Sequence, residues 1–309
     1  MQIKNRLIST SIITLILLTF LSFNPKKDKD KENITVPLSY IKIDDNLYAN
    51  RYEVSNLSWL EYQNWVNEVY KRDANKIKAS KTDPQVFNQV AECLEIGAND
   101  YIFDLSYGDH PVVGITQQQA KDYNQWRSDF TTFFYLFQTG HFNEDFKPDE
   151  HKDFSVEAYF RGDYDFYLKK EKIDFYYHFK LPNKEERQKL FQFSKKAANE
   201  YFESSKKKKV KECKALHPQL VFNIDPCSSG NKKFIPSKSW NHQCILEYEK
   251  SLIHVQGNVA EWLEEENTVA GGSWKTELIE EDKDIIEEIE AGANAWTGFR
   301  SVLTIEKVK

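Results

Sequence analysis

Three glycine-anchored motifs, GNVAEW at Gly257–Trp262, GGSW at Gly271–Trp274 and GFR at Gly298–Arg300, crowd the last 53 residues of a chain otherwise rich in Lys and Glu. This crowding restricts the fold more than any other feature. Glycine is needed where φ is positive or where a second backbone comes close. An indole beside such a turn needs a large apolar space behind it and a partner for its N–H. Glycines and indoles at these points serve either chemistry or architecture. Aromatics make up 14% of the 309 residues, so rings have the volume to fill a core.

Upstream, the periodicity changes from two to helical and back. Tyr40–Val54 alternates as strands do, and the next stretch, SWLEYQNWVNEVY, opens with Ser58 and Glu61. Ser-x-x-Glu is a capping box, and Trp59, Tyr62, Val66 and Val69 follow at helical spacing. The signature recurs with Thr116 and Gln119, ahead of Ala120, Tyr123, Arg127 and Phe130 on one face. It recurs again with Asn183 as cap and Glu186 at the third helical position. Pro111, Pro182, Pro218, Pro226 and Pro236 punctuate the irregular stretches between. The expected class is α+β, with few long strands. Residues 130–178, dense in rings and charges, read as an insertion. Its aromatics suit either a stacking surface for sugars or a partner, or packing onto the main domain.

The N-terminus carries an address. Lys4 and Arg6 precede Leu7–Phe23, which holds no charge. That is the pattern of an export signal, and its length also reaches the lower limit of a membrane span. Residues 1–23 are thus a signal peptide or an inner-membrane anchor, and either places the rest in the periplasm or cell envelope. Residues 24–38 read as a charged linker, and 39–309 as the domain. A lipid anchor is excluded, because the first cysteine is Cys93. Cys213, Cys227 and Cys244 complete the set, and none has C-x-x-C spacing. Export permits a Cys227–Cys244 disulfide, and two buried thiols are the other reading. A net charge of -6 lacks the basic excess of a nucleic-acid binder.

Taken in order, the motifs resemble those of the formylglycine-generating enzyme family, also called the sulfatase-modifying factor domain. YEVSN (Tyr52–Asn56), HPVVGITQQQAKDYNQW (His110–Trp126), KLPNKEERQKL (Lys180–Leu190), GNVAEW, AGGSW and TGFRS are each similar to a family landmark. The resemblance implies an α+β fold related to C-type lectins, low in regular structure. It also implies where chemistry should lie. Members that oxidise a sulfatase cysteine use two cysteines between the GGS and GFR landmarks to hold copper, a role for soft thiolates.

Here that interval, Trp274–Thr297, contains no cysteine, and Ser301 follows GFR where the family often has another. Copper is not expected. The interval instead carries Glu277, Glu280, Glu281, Asp282, Asp284, Glu287, Glu288 and Glu290, with Leu278, Ile285, Ile286 and Ile289 at helical spacing. A solvated amphipathic segment is the expectation. The seven histidines, His110, His141, His151, His178, His217, His242 and His254, show no paired metal spacing.

The resemblance implies one ligand set that survives. Family members bind calcium through G-N-x-x-E-W, and Gly257, Asn258, Val259 and Glu261 match it position by position. Hard oxygen donors suit that ion. The other reading is that Asn258 caps a turn and Glu261 pairs with Arg300. A second calcium site would use Asn223 and Ile224, but lacks its later Asp. The expected role is a non-catalytic envelope component that binds a protein partner, similar to the gliding-motility and type IX secretion members. A metal-dependent oxidase with relocated ligands and a lectin-like binder are the alternatives.

Overall fold

The computed structural model describes residues 34–89, 100–208, 252–276 and 283–308. All four cysteines, Leu7–Phe23, Asn223 and Ile224 lie outside them, as do residues 277–282. Among the described residues no helix is long and apolar enough to cross a membrane.

Among the described residues, eight strands form two four-stranded sheets. The first has the order β1 (Tyr40–Asp44), β2 (Leu47–Asn50), β8 (Val302–Lys307), β3 (Phe175–Lys180), antiparallel throughout. The second has the order β6 (Ile286–Glu288), β5 (Thr268–Ala270), β4 (Ala260–Trp262), β7 (Thr297–Gly298). Its β4–β7 pair is parallel. The described residues also form six α-helices: α1 (Asn56–Val69), α2 (Ala74–Ala79), α3 (Asp100–Phe103), α4 (Gln117–Gln138), α5 (Val156–Arg161) and α6 (Lys184–Lys208). The class is α+β.

Helix α1 begins one turn earlier than its sequence suggests. Ser55, not Ser58, is the cap, and its hydroxyl accepts from the Ser58 N–H at 3.3 Å. The helix still buries Trp59, Tyr62 and Val66 as their spacing requires. The caps of α4 and α6 are those expected. Thr116 Oγ1 accepts from the Gln119 N–H at 3.2 Å while Gln119 Oε1 accepts from the Thr116 N–H at 2.8 Å. Asn183 and Glu186 make the same reciprocal exchange at 2.8 and 3.0 Å. Each such cap stabilises its helix by about 1 kcal/mol, because it satisfies N–H groups that the helix cannot.

Helix α4 joins two cores. Its N-terminal half sends Ala120, Tyr123 and Trp126 into a cluster with Trp59, Trp262, Trp274 and Phe299. Its C-terminal half sends Leu136 into a second cluster with Phe142, Phe154, Tyr159 and the inward residues of β3. The sequence FYYHFK of β3 alternates, burying Phe175, Tyr177 and Phe179. Being an edge strand, β3 has N–H groups that β8 does not take, and α4 satisfies them. The Phe179 N–H donates to Ser128 Oγ at 2.8 Å and the Tyr177 N–H to Thr132 Oγ1 at 3.2 Å. An edge so covered presents no template for pairing with another chain.

The aromatic-rich stretch packs onto the first sheet, with Phe142, Phe154 and Tyr159 in one cluster with Leu303 of β8. Within it, Phe142 and Phe146 stack at 3.9 Å between centroids, and Tyr135 meets Phe175 edge to face at 5.3 Å. Residues 34–38, read as the end of a charged linker, also belong to the packed body. The Tyr177 hydroxyl donates to the Thr35 carbonyl at 3.2 Å, and Val36 rests on the second cluster.

Candidate functional site

The family-like motifs meet at one buried ionic network. Glu261 lies in the central strand β4, opposite Ala270 of β5 and Gly298 of β7. Its Oε1 accepts from Arg300 Nε at 3.0 Å and Nη2 at 2.7 Å. Its Oε2 accepts from Arg187 Nη1 at 2.7 Å. Arg187 stands in the first turn of α6 and also grips Asp284, Nε to Oδ2 at 2.7 Å and Nη2 to Oδ1 at 3.0 Å. The exposure of Arg187, Arg300, Glu261 and Asp284 side chains is 0–1%. Two positive and two negative charges cancel in a space without water access. Burial works against the Arg187 charge, but Asp284 and Glu261 overcome it and hold the guanidinium protonated well above its usual range.

Backbone carbonyls complete the donor accounts. Arg187 Nη2 donates to the Val255 carbonyl, and Arg300 Nη2 to that of Ile253 at 2.6 Å. The glycines make room for this. A Cβ on Gly271, whose φ is +90°, would stand 2.6 Å from Val255 O and 2.9 Å from Arg187 Nη2. A Cβ on Gly298 would meet Val112 O at 2.6 Å. The indoles close the floor, with Trp262 Nε1 donating to Ile115 O and Trp274 Nε1 to Ala295 O, each at 3.3 Å.

Beside the network lies a second polar group. Glu53 of YEVSN accepts from Asn258 Nδ2 at 2.9 and 2.7 Å through its two oxygens. His254 Nδ1 stands 3.7 Å from Glu53 Oε2, and its buried Nε2 has no hydrogen-bond partner among the described residues. Burial raises the Glu53 carboxyl above its ordinary range, with His254 and Arg300 opposing and Glu261 adding to the rise.

The four residues expected to hold calcium are thus brought together, with Glu261 at the centre of the ionic network. Both Glu261 oxygens are taken by guanidinium groups, and the Asn258 carbonyl accepts from the Trp274 N–H at 2.9 Å. Calcium needs about six to eight oxygens, and two guanidinium charges repel it. The Glu261–Arg300 pair weighed against calcium is present. Among the described residues, no group of three or more His, Cys, Asp or Glu side chains is placed to hold a metal.

The acidic interval departs from its sequence reading. Ile286–Glu288 is a strand, pairing Ile286 with Ala270 and Glu288 with Thr268. Asp284 is no solvated charge, since Arg187 claims it. Sequence reasoning also missed Arg187 itself. Its signal was its place on the stripe Arg187, Leu190, Phe191, Ser194, all buried at i, i+3, i+4 and i+7 of α6.

A profile of the sulfatase-modifying factor enzyme 1-like domain matches residues 15–305. The chain belongs to that family. No curated protein matches it. Among solved structures, one titled "Crystal Structure of CarF" aligns with a TM-score of 0.40 and 14% identity, over 86% of this chain and 93% of that one. Within this sulfatase-modifying factor domain the landmark motifs contribute the buried polar groups and the close backbone contacts around them. YEVSN supplies Glu53, KLPNKEERQKL supplies Arg187, GNVAEW supplies Glu261, GGSW leaves room for Arg187, and GFR supplies Arg300.

Proposed function

We propose that this sulfatase-modifying factor domain is a non-catalytic binding or assembly component of the cell envelope. The observation that carries the reading is the interval Trp274–Thr297, which holds no cysteine where copper-dependent relatives need two. Without thiolates there, the soft-ligand chemistry that activates oxygen has no donors. The part of that interval that is described supplies the edge strand β6 and the Asp284–Arg187 pair. The segment Leu7–Phe23 behind Lys4 and Arg6 supports export, by a signal peptide or an inner-membrane anchor. A protein partner in the envelope is the corresponding ligand, as in the gliding-motility and type IX secretion members that the motifs resemble.

Cross-linking in the intact envelope followed by mass spectrometry tests this, with a formylglycine assay beside it. A reproducible envelope partner and no aldehyde on a cysteine-type sulfatase peptide supplied with copper is the expected result. Aldehyde formation above a no-enzyme blank overturns the reading in favour of an oxidase with relocated ligands. A reporter fused after Asn33 that is active only outside the cytoplasm tests export separately.

A further inference from the structure

We infer that Leu57, Phe103 and Leu105 form the surface by which this domain holds its partner, a protein with an apolar cleft rimmed by Lys or Arg. Their exposure is 42%, 67% and 79%, although all three sit on firmly held backbone. Tyr101 and Asn56 are wholly buried and do the holding. The Tyr101 hydroxyl donates to Pro111 O at 2.6 Å, and Asn56 Nδ2 donates to Tyr101 O and Tyr107 O at 3.0 Å each. The Leu57 N–H donates to Gly108 O at 2.9 Å, which sets the start of α1 against the turn that carries Phe103 and Leu105. Apolar side chains exposed on an already ordered turn lose little freedom on binding, and that suits them as anchors for a partner.

The charges around the patch describe the occupant. Neither α1 nor residues 100–110 contain a Lys or Arg. Asp104 stands exposed between Phe103 and Leu105, and Glu61 lies one turn along α1 from Leu57. The Ser106 N–H donates to Asp104 at 2.8 Å and holds its carboxyl below the usual carboxylate range, so it is negative at neutral pH. Interfaces match such a rim with the opposite sign. A second copy bound through the same patch would bring acid against acid, and an anionic lipid surface would do the same. The position of the patch agrees. Thr35, beside the start of the described chain, accepts from Tyr177, which pairs with Ile305 of β8. The patch lies past the other end of β8, where the Val54 N–H donates to Phe299 O and the Asn56 N–H to His110 O. Attachment through the residues upstream of Ile34 therefore leaves it clear. The inference rests on the proposed binding role and names its surface.

Titration of the cross-linked envelope partner, once purified, onto the purified full chain tests it. Phe103→Ser with Leu105→Ser should weaken binding by about tenfold or more, as loss of an interface anchor does. Phe166→Ser, at a ring 77% exposed elsewhere, should leave binding unchanged. Asp104→Asn keeps an acceptor for the Ser106 N–H and removes the charge, so it should weaken binding by about threefold at low salt and not at high salt. Melting curves of these variants should overlay that of the wild type, and Leu105→Ser alone replaces the pair if the pair melts lower. The absence of any envelope partner overturns the binding role and this surface with it. A partner bound equally well by the double variant overturns the surface alone. Tighter binding by Asp104→Asn overturns the basic rim. Wild-type dimers in sedimentation velocity that the double variant abolishes would make the occupant a second copy, and also overturn the inference.

Discussion

The two ends of helix α4 rest on regions built by opposite means. Near its start, around β4, four charged side chains are buried and every contact is directional. Near its end, the insertion is held by rings, Phe133 against Phe154, Phe142 against Phe146 and Tyr135 against Tyr177. Charges and rings fail differently. Deleting one member of a buried ionic network strands the others without water, so the loss is abrupt. Trimming one ring removes its own contacts and some volume, and neighbouring rings slide to recover part of it. The region carrying the family motifs is therefore the brittle one, and the insertion the tolerant one.

Glu261→Gln should give the largest effect that separates them. It leaves two buried guanidinium groups with one compensating carboxylate, and losses on breaking such pairs run at about 3–5 kcal/mol. Urea denaturation should show that loss equally with and without EDTA. A loss confined to calcium-containing buffer would restore the ion-binding reading of GNVAEW. In the ring region, Phe154→Leu should cost about 1–2 kcal/mol, within the usual span for a core substitution. If it costs as much as Glu261→Gln, the contrast between the regions is gone.

Glu53 sharpens the comparison through pH. Its carboxyl is raised in the folded protein by burial, so between the unfolded carboxyl value and that raised value the folded state holds the extra proton. Stability from this group is then lost as pH rises through the window and regained on acidification. Glu53→Gln imitates the protonated form. The variant should close on or overtake the wild type at neutral pH and fall behind it as pH drops towards 4, read from melting curves between pH 4 and 8. A difference independent of pH would show that Glu53 does not titrate in that range. The smallest effect belongs to Glu288, exposed on edge strand β6. Glu288→Gln should stay within about 0.5 kcal/mol, as surface changes do, and a larger loss would mean that the acidic strand is held by its charges.

Local chemistry in the sequence translated well into local structure. The caps at Thr116 and Asn183 stand as their side chains suggest, because capping exchanges atoms within one turn. Helix α1 shows the limit of that logic. Ser55 and Ser58 both suit a cap, and the choice went to Ser55, which is also bridged to Pro111 on a neighbouring segment. Tertiary pairing decided what composition left open. The acidic interval failed for a related reason. Ile286 and Ile289 fit a helical stripe, but β5 offered an edge at Thr268–Ala270 and the stretch joined it. Nothing near Asp284 marks it for burial, since its partner lies 97 residues away in sequence. Of the motif residues named for calcium, Glu261 carries the centre of the network, and its pairing with Arg300 was already one of the two readings. Arg187 could have been suspected from its place on an apolar stripe, though its two acids could not.

The position of β8 governs how this protein is made. Strand β8 lies inside the first sheet, between β2 and β3, although it follows both in the chain by more than 120 residues. The hairpin of β1 and β2 leaves the ribosome early with one edge bare, and β3 follows with its own edge bare. Neither can find its neighbour until Val302–Lys307 arrives. A nascent chain of this domain must therefore carry one unsatisfied strand edge through most of its synthesis and a second from Lys180 onward, and a chain cut short before Val302 would carry both permanently.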